Sequence, residues 1–428
     1  MLDVRFIEAN PAAVKNDLQK RGDKEKVSWI DELVQKHGEW KALKEKVDTL
    51  RHSRNEISQE INQLKKQGKD ISSKVKEVKE LPGKIAASEE KLHKLQERID
   101  FILQRLPNTL HESVPVGKDE TENREVKKWG TIRKPPFELK SHGELLEQAG
   151  LADFERSTKI SGAGFYFIKG DLVKIEMGLI RFVTDFLVKK GFTLIQPPLM
   201  MNRKPYEGVT SLADFENVMY KIKDEKGKES SYLIATSEHP IAAMLMDGTV
   251  EEKSLPLKLC GISSCFRREI GSHGVDTRGL FRVHQFTKVE QFVFCKPEDS
   301  WKIHEELLKN SEEIMQQLKI PYRVVNICTG DIGTVAAKKY DIEGWFPRQD
   351  AYCELVSCSN CTAYQSTALN IRFQDSKGGK EFVHTLNATA VATSRVLAAI
   401  AENFQNKDGT ITVPEVLVPY VGKKVIGT

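Results

Sequence analysis

No run of about eighteen consecutive apolar residues occurs in this chain of 428 residues, which leaves no candidate for a membrane-spanning helix. An apolar leader is missing too: the opening MLDVRFIEAN carries acids where a secretory signal would be hydrophobic. A disulfide framework has little to build on, because the seven cysteines are odd in number and show no small, regular frame. Charge of one sign is also scarce. The 65 Lys and Arg face 61 Asp and Glu, a net charge of +4, so only a local basic surface would point to nucleic acid. Internal repeats and low-complexity tracts are lacking. These absences predict a cytoplasmic protein with reduced thiols, and the length predicts two or three domains.

What is present differs between the two ends. Leu33, Trp40, Val47 and Ile61 fall on one seven-residue series, interrupted only by Arg54, and Leu43, Leu50, Ile57 and Leu64 form a second. After KKQGKD the period restarts with Ile71, Val78, Ile85, Leu92, Ile99 and Leu106. Two such seams joined by a short Gly-containing turn must fold back on each other, because each needs an apolar partner. An antiparallel helical hairpin over about residues 30–106 is therefore expected, its arms roughly 50 Å long at 1.5 Å per residue. Pro82-Gly83 should kink the second arm. A spacer or dimerisation coil would look like this. So would a lever for nucleic acid, since Lys65, Lys66 and Lys69 cluster at the tip, with Lys74, Lys76 and Lys79 beyond. The Pro-, Gly- and acid-containing stretch 109–130 reads as a linker.

From about residue 131 helical patterns such as LVKIEMGLIRFVTDFLVKKG mix with strand-like FTLIQPP, YLIAT, LKLCGISSCFRRE, FRVHQFTKVEQFVFC and YRVVNICTG. Several strands in direct succession predict an α+β fold with an antiparallel sheet. Along LKLCGISSCFRRE, alternation puts Arg267 and Glu269 on one face and Phe266 and Arg268 on the other. On the returning strand Arg282, His284, Phe286, Lys288, Glu290 and Phe292 share a face. A hairpin of these strands would gather an arginine for a phosphate, a ring to stack on a base and a carboxylate to accept from an exocyclic amine. The connection, about residues 270–281, is far longer than the common two to five. Gly271, Gly274 and Gly279 make it adaptable, and His273, Asp276 and Arg278 make it polar, which suits a segment that closes over a large substrate. Taken alone, FRRE reads equally as an edge hairpin with a solvated ion pair. Arg395 sits in a largely apolar helix and needs a partner, either an anionic ligand or a structural carboxylate.

In order, GFTLIQPPLM with Pro197-Pro198, FRRE with VHQFTKVE, and the ATSR helix resemble the three signatures of class II aminoacyl-tRNA synthetases. The hairpin, TSEHP, ELVSCSNCTAYQS and HTLNATAVATSR extend the resemblance to the seryl-tRNA synthetase family over nearly the whole chain, the last in its archaeal and eukaryotic form. The resemblance implies a tRNA-binding domain over 1–108 and a catalytic domain over 131–428. It implies formation of seryl-adenylate from L-serine and ATP with Mg²⁺, and transfer to the 3′ end of tRNA(Ser), and of tRNA(Sec) where present. It also implies a homodimer whose hairpins reach tRNA across subunits.

Carried over by residue, Arg267, Glu354 and Arg395 are the catalytic group. ATP would be held by Arg267, Arg268, Glu269, Val283, Phe286, Glu354, Leu355, Val356, Ser357 and Arg395, with Glu354 and Ser357 also on Mg²⁺. Serine would be held by Thr236, Ser237, Glu238, Arg267, Glu290, Asn387 and Thr389, and Arg54, Lys65, Lys66 and Lys69 would meet tRNA. Two of these spacings conflict with flat strands. Val283 falls opposite Phe286, which a bulge or a backbone contact would reconcile, and Glu354 lies three residues from Ser357, so a local bend or shared-metal geometry is expected there. Cys353, Cys358 and Cys361, with His384, imitate a zinc site, but no second CxxC accompanies them and they are read as reduced core thiols. Two other readings keep part of this picture: a paralogue that activates an amino acid without charging tRNA, and a coiled-coil assembly protein with a dead domain.

Overall fold

The computed structural model describes residues 1–211, 217–269 and 279–427. Of the long connection after FRRE, residues 270–278 lie outside them, including Gly271, His273, Gly274, Asp276 and Arg278. The chain forms two compact units, one spanning Leu2–Leu106 and one beginning at Pro107.

In the first unit, α1 (Lys24–Lys66) and α2 (Ser72–Leu103) make the hairpin. The side chain of Asp23 caps α1 by accepting from the Lys26 amide. Gly68, at φ +68°, allows the reversal between the helices. Ile57 on α1 packs with Leu81 and Ile85 on α2, flanked by Leu50, Ile61 and Val78. A second buried row, Leu81, Ser88 and Ile102, runs along α2 beside the series read from sequence. α2 continues through Pro82, whose side is exposed, so the missing donor falls on the solvent face. Ion pairs join the arms: Arg98 meets Glu32 through two bonds of 2.8 Å, and Arg51 meets Glu89 at 2.7 Å.

The second unit is built on β1 (Arg124–Trp129), β2 (Thr193–Ile195), β3 (Leu257–Phe266), β4 (Gln285–Cys295), β5 (Tyr322–Asn326), β6 (Lys338–Phe346), β7 (Ala351–Thr362) and β8 (His384–Ala392). Among the described residues these form one sheet in the order β1-β5-β6-β7-β8-β4-β3-β2. Every pairing is antiparallel except β2 with β3. Helices α3 (Asp171–Lys189), α4 (Glu238–Ala243), α5 (Ser300–Gln317), α6 (Tyr364–Leu369) and α7 (Thr393–Asn403) pack around it. Alternation along β4 separates two cores. Val289, Val293 and Cys295 join side chains of α3, α5 and α7, while Phe292 and Phe294 join Tyr206, Tyr232, Ile241 and Leu369.

The expected linker at 109–130 needs correction. Its last part is β1, paired from Arg124↔Asn326 to Trp129↔Tyr322, and Val114 is buried with Val325 and Ile327. REVKKW is exposed at all six positions, as befits a charged edge strand, and so carries no apolar alternation to betray it.

Candidate active site

The β3–β4 hairpin opens the site. Phe266 pairs with Gln285, and just past the ladder the Arg267 amide donates to the His284 carbonyl at 3.0 Å. Regular strand therefore ends before both Glu269, at φ +44°, and Val283. Flat alternation does not reach either residue, which removes the conflict over Val283. Val283, Phe286, Cys265 and Ala392 form one small apolar cluster.

Two adjoining lobes share Arg267, Glu269, Lys288, Glu354, Ser357 and Thr389 as walls. The smaller, about 70 Å³, adds Phe281, Val283, Phe286, Leu355 and Arg395. Arg267 and Arg395 thus face a common cavity. The Arg267 guanidinium lies 5.3 Å from the Phe286 ring centre, and that of Arg395 lies 5.0 Å from the Phe281 ring centre. Arg395 Nη1 donates to the Glu354 carbonyl at 2.9 Å and to its Oε2 at 3.2 Å, which supplies the partner that a helix-borne arginine required. Two turns along α7 the Glu402 carboxylate meets His142 Nδ1 at 2.9 Å, and His142 Nε2 accepts from the Leu280 amide at 3.1 Å. One helix thereby carries Arg395 and anchors the segment bearing Phe281 and Val283.

Glu354 and Ser357 reach the same cavity through a bulge. Ile342 pairs with Val356 but Glu343 pairs with Glu354, so Leu355 is left unmatched. Burial favours a protonated Glu354, yet Arg395, Lys339 and Arg267 together hold its carboxyl well below the usual range. Its neighbour Asp341, 3.2 Å from Lys339, is pushed up by burial. Asp341 Oδ1 is buried without a hydrogen-bond partner. This oxygen, Glu354 and Ser357 make a hard donor set that suits Mg²⁺, which keeps several ligands from water or phosphate. Among the described residues no group of three or more His, Cys, Asp or Glu side chains is placed to hold a metal. The cysteines and His384 have separate partners: Cys358 Sγ bonds the His304 carbonyl, Asn387 Nδ2 donates to Cys361 Sγ, Cys353 Sγ bonds Gln349 Oε1, and His384 Nδ1 meets Ser300 Oγ.

The larger lobe, about 470 Å³, is walled by Thr236, Glu238, His239, Asn387 and Cys361. Lys288 crosses it, 2.6 Å from Glu290 Oε2 and 3.3 Å from Thr236 Oγ1. Burial raises the Glu238 carboxyl, while Lys288, Gln365 and Arg267 oppose that shift. Burial also pushes His239 down to about 3, with Arg267 and Lys288 acting in the same direction, so its ring stays neutral beside Tyr206.

Four residues named from the motifs line neither lobe. Glu290 is fully buried behind Lys288. Ser237 precedes α4 and packs beneath it, Val356 follows the bulge into the helix-side core, and the Arg268 amide bonds the Val218 carbonyl. Lys288, Arg282, His239 and Lys339 line the cavity without having been singled out. Lys288 and Arg282 had a signal, since both alternate with Phe286 and Glu290 on the strand face read from the sequence, and His239 stood within TSEHP; Lys339 had none. On the first unit, Arg54, Lys65, Lys66 and Lys69 are all exposed.

A largely antiparallel sheet that, together with a helix packed on it, brings two arginines, a bulged glutamate and an aromatic ring to one cleft defines a class II aminoacyl-tRNA synthetase core. Residues 220–404 match the family model for the tRNA synthetase class II core domain (G, H, P, S and T). Residues 1–110 match the model for the seryl-tRNA synthetase N-terminal domain. The chain belongs to the seryl-tRNA synthetase family. It is 59% identical to the serine–tRNA ligase of Methanocella arvoryzae, over 98% of this chain and 99% of that one. With the corresponding ligase of Pyrococcus horikoshii it shares 48% identity over 100% of this chain and 97% of the other. The crystal structure of the Pyrococcus horikoshii enzyme complexed with ATP superposes with a TM-score of 0.91, covering 100% of this chain and 99% of that chain. The cytoplasmic ligase of Naegleria fowleri in complex with AMP superposes with a TM-score of 0.87 at 35% identity, over 100% and 98% of the two chains.

Proposed function

We propose that this protein is a serine–tRNA ligase: it activates L-serine with ATP, releasing pyrophosphate, and transfers the seryl group to the 3′ end of tRNA(Ser). The observation that carries this reading is the cavity shared by Arg267 and Arg395, continuous with a second lobe that presents the polar side chains of Thr236, Glu238, Asn387 and Thr389. Bringing a carboxylate oxygen to the α-phosphorus opposes two anions, so positioning and charge stabilisation dominate, and no nucleophilic side chain is needed. Arg267 spans both lobes and would hold the serine carboxylate against the α-phosphate. Phe286 would support the adenine, Glu269 would accept from its amine, and Arg395 would hold the outer phosphates. Glu354, Ser357 and Asp341 would hold Mg²⁺, which supplies charge neutralisation for the phosphates when bound. Glu238 would receive the serine ammonium, and Asn387 with Thr389 would close on the hydroxyl. A site that pairs that hydroxyl disfavours alanine, whose entry leaves polar groups unpaired.

The exposed cations at the hairpin tip support a role for the first unit along the tRNA backbone, read by shape and charge. Exposed apolar side chains at Leu194, Leu199 and Met200 support a homodimer through the segment that resembles the first class II signature. No helix among the described residues is long and apolar enough to cross a membrane, and a cytoplasmic location fits the thiol chemistry. Serine-dependent pyrophosphate exchange and tRNA charging, measured on the full chain and after deletion of residues 33–104, test the reading. Exchange should be specific for serine and survive the deletion, while charging should be largely lost. Exchange with another amino acid would overturn the substrate, and equal loss of both activities would overturn the division of labour.

A further inference from the structure

We propose that Gln365, on α6, is a positioning residue for serine recognition: its amide holds the Glu238 carboxylate in the orientation that receives the substrate ammonium. The proposal rests on the reading of Glu238 as a serine-binding group. Gln365 is fully buried and lines neither lobe, so any effect on substrate passes through a neighbour. Its Nε2 donates to Glu238 Oε1 at 3.0 Å and to the Val209 carbonyl at 3.2 Å. Its Oε1 accepts from Thr385 Oγ1 at 2.7 Å.

Only one orientation of the amide satisfies this set. Turned over, Oε1 would confront both the Val209 carbonyl and the Glu238 carboxylate, two acceptors against an acceptor, in a site without water access. Both Nε2 protons are therefore committed, and Glu238 is tied to β8 through Thr385 and to the end of the helix Arg203–Val209. A carboxylate held at one oxygen keeps the other for the cavity. Freed of that tether, Glu238 has Lys288 and Arg267 as nearby cations with which to pair, and pairing there would draw it off the ammonium. The same amide contact opposes the upward pull of burial on the Glu238 carboxyl, keeping it charged for a cationic substrate group.

Gln365→Glu is close to isosteric, keeps the acceptor for Thr385 and replaces the donor to Glu238 by a second carboxyl oxygen. Pyrophosphate exchange on the full-length protein should show KM for serine raised about tenfold or more, with KM for ATP within about threefold, as expected for loss of a hydrogen bond to a charged group. The mutant-to-wild-type ratio of KM for serine should shrink as pH falls from 8 to 6, because the added carboxyl takes up a proton and regains a donor. Gln365→Met should raise KM for serine with a ratio independent of pH. Thr385→Val, which removes only the far hydroxyl, should raise it about two- to fivefold and tests the chain if either Gln365 variant fails to fold. KM for serine within twofold of wild type in these variants, or serine and ATP constants rising together, overturns the proposal. Glu238→Gln separates the two readings: unchanged KM for serine there removes Glu238 from recognition, whereas a large rise there with silent Gln365 variants removes only the positioning role.

Discussion

Glu290 shows how one residue ties substrate binding to stability. Burial pushes its carboxyl up to about 7, against the pull of Lys288 and with a further push from Glu238. Because that lies above the usual 4.5, the protonated form favours the folded state. Its contribution to stability is complete below about 4.5 and is lost as pH rises through about 7. Serine binding should move the opposite way. Once Glu290 is protonated, Lys288 loses its counterion and repels the substrate ammonium. KM for serine should therefore climb below pH 7, approaching tenfold per unit. Glu290→Gln should flatten both the kinetic profile and this part of the melting profile between pH 5 and 8. Identical profiles for wild type and variant would show that another group titrates.

At the level of elements, the larger lobe, proposed to take serine, depends on how closely α4 lies on β3. Gly261 on β3 faces α4, and a Cβ there would stand 2.5 Å from Ile241 Cδ1 and 2.8 Å from Ser237 Oγ. Ser237 is fully buried, so the helix rather than one flexible tip must give way. Gly261→Ala should cost roughly 1–3 kcal/mol through overpacking. It should also raise KM for serine more than KM for ATP, since α4 begins with Glu238 whereas the nucleotide lobe is built by β3, β4, β7 and α7. Melting curves with the two Michaelis constants check this; equal shifts in both constants would mean that the strand moved and the helix did not. The Leu355 bulge is the corresponding device on β7, turning Glu354 and Ser357 to one side of an otherwise regular strand.

For the molecule as a whole, the proposed function assigns the chemistry to the second unit and contact with tRNA to the first. The near balance of charge over the chain conceals an uneven local distribution, with Lys65, Lys66 and Lys69 exposed at the hairpin tip. Lys74 differs, because Glu60 at 2.9 Å and Glu77 at 3.6 Å already engage it. Replacing Lys65, Lys66 and Lys69 together by alanine should lower kcat/KM for tRNA about tenfold or more and make its fall with salt shallower by about two to three in log–log slope. Pyrophosphate exchange should stay within twofold, and Lys74→Ala should change charging less. A triple variant with normal charging and an unchanged salt slope would remove the tip from the tRNA surface.

Local order along the chain was enough for the hairpin, because a heptad seam states both its helix and its need for a partner, and Leu33, Val47, Ile57, Ile85 and Ile99 are indeed buried. It was enough also for the family, through motifs whose order and chemistry survive without coordinates. Strand β6, the full extent of β7 and the edge strand β1 were not legible: β1 pairs on one side only and is exposed at every position, and Ala351–Thr362 is rich in small and polar residues whose strand character comes from pairing on both flanks. Gln365 beneath Glu238 and Glu402 behind His142 escaped for a related reason. Each is a contact between segments distant in sequence, and its energy depends on burial and orientation that the folded sheet alone creates.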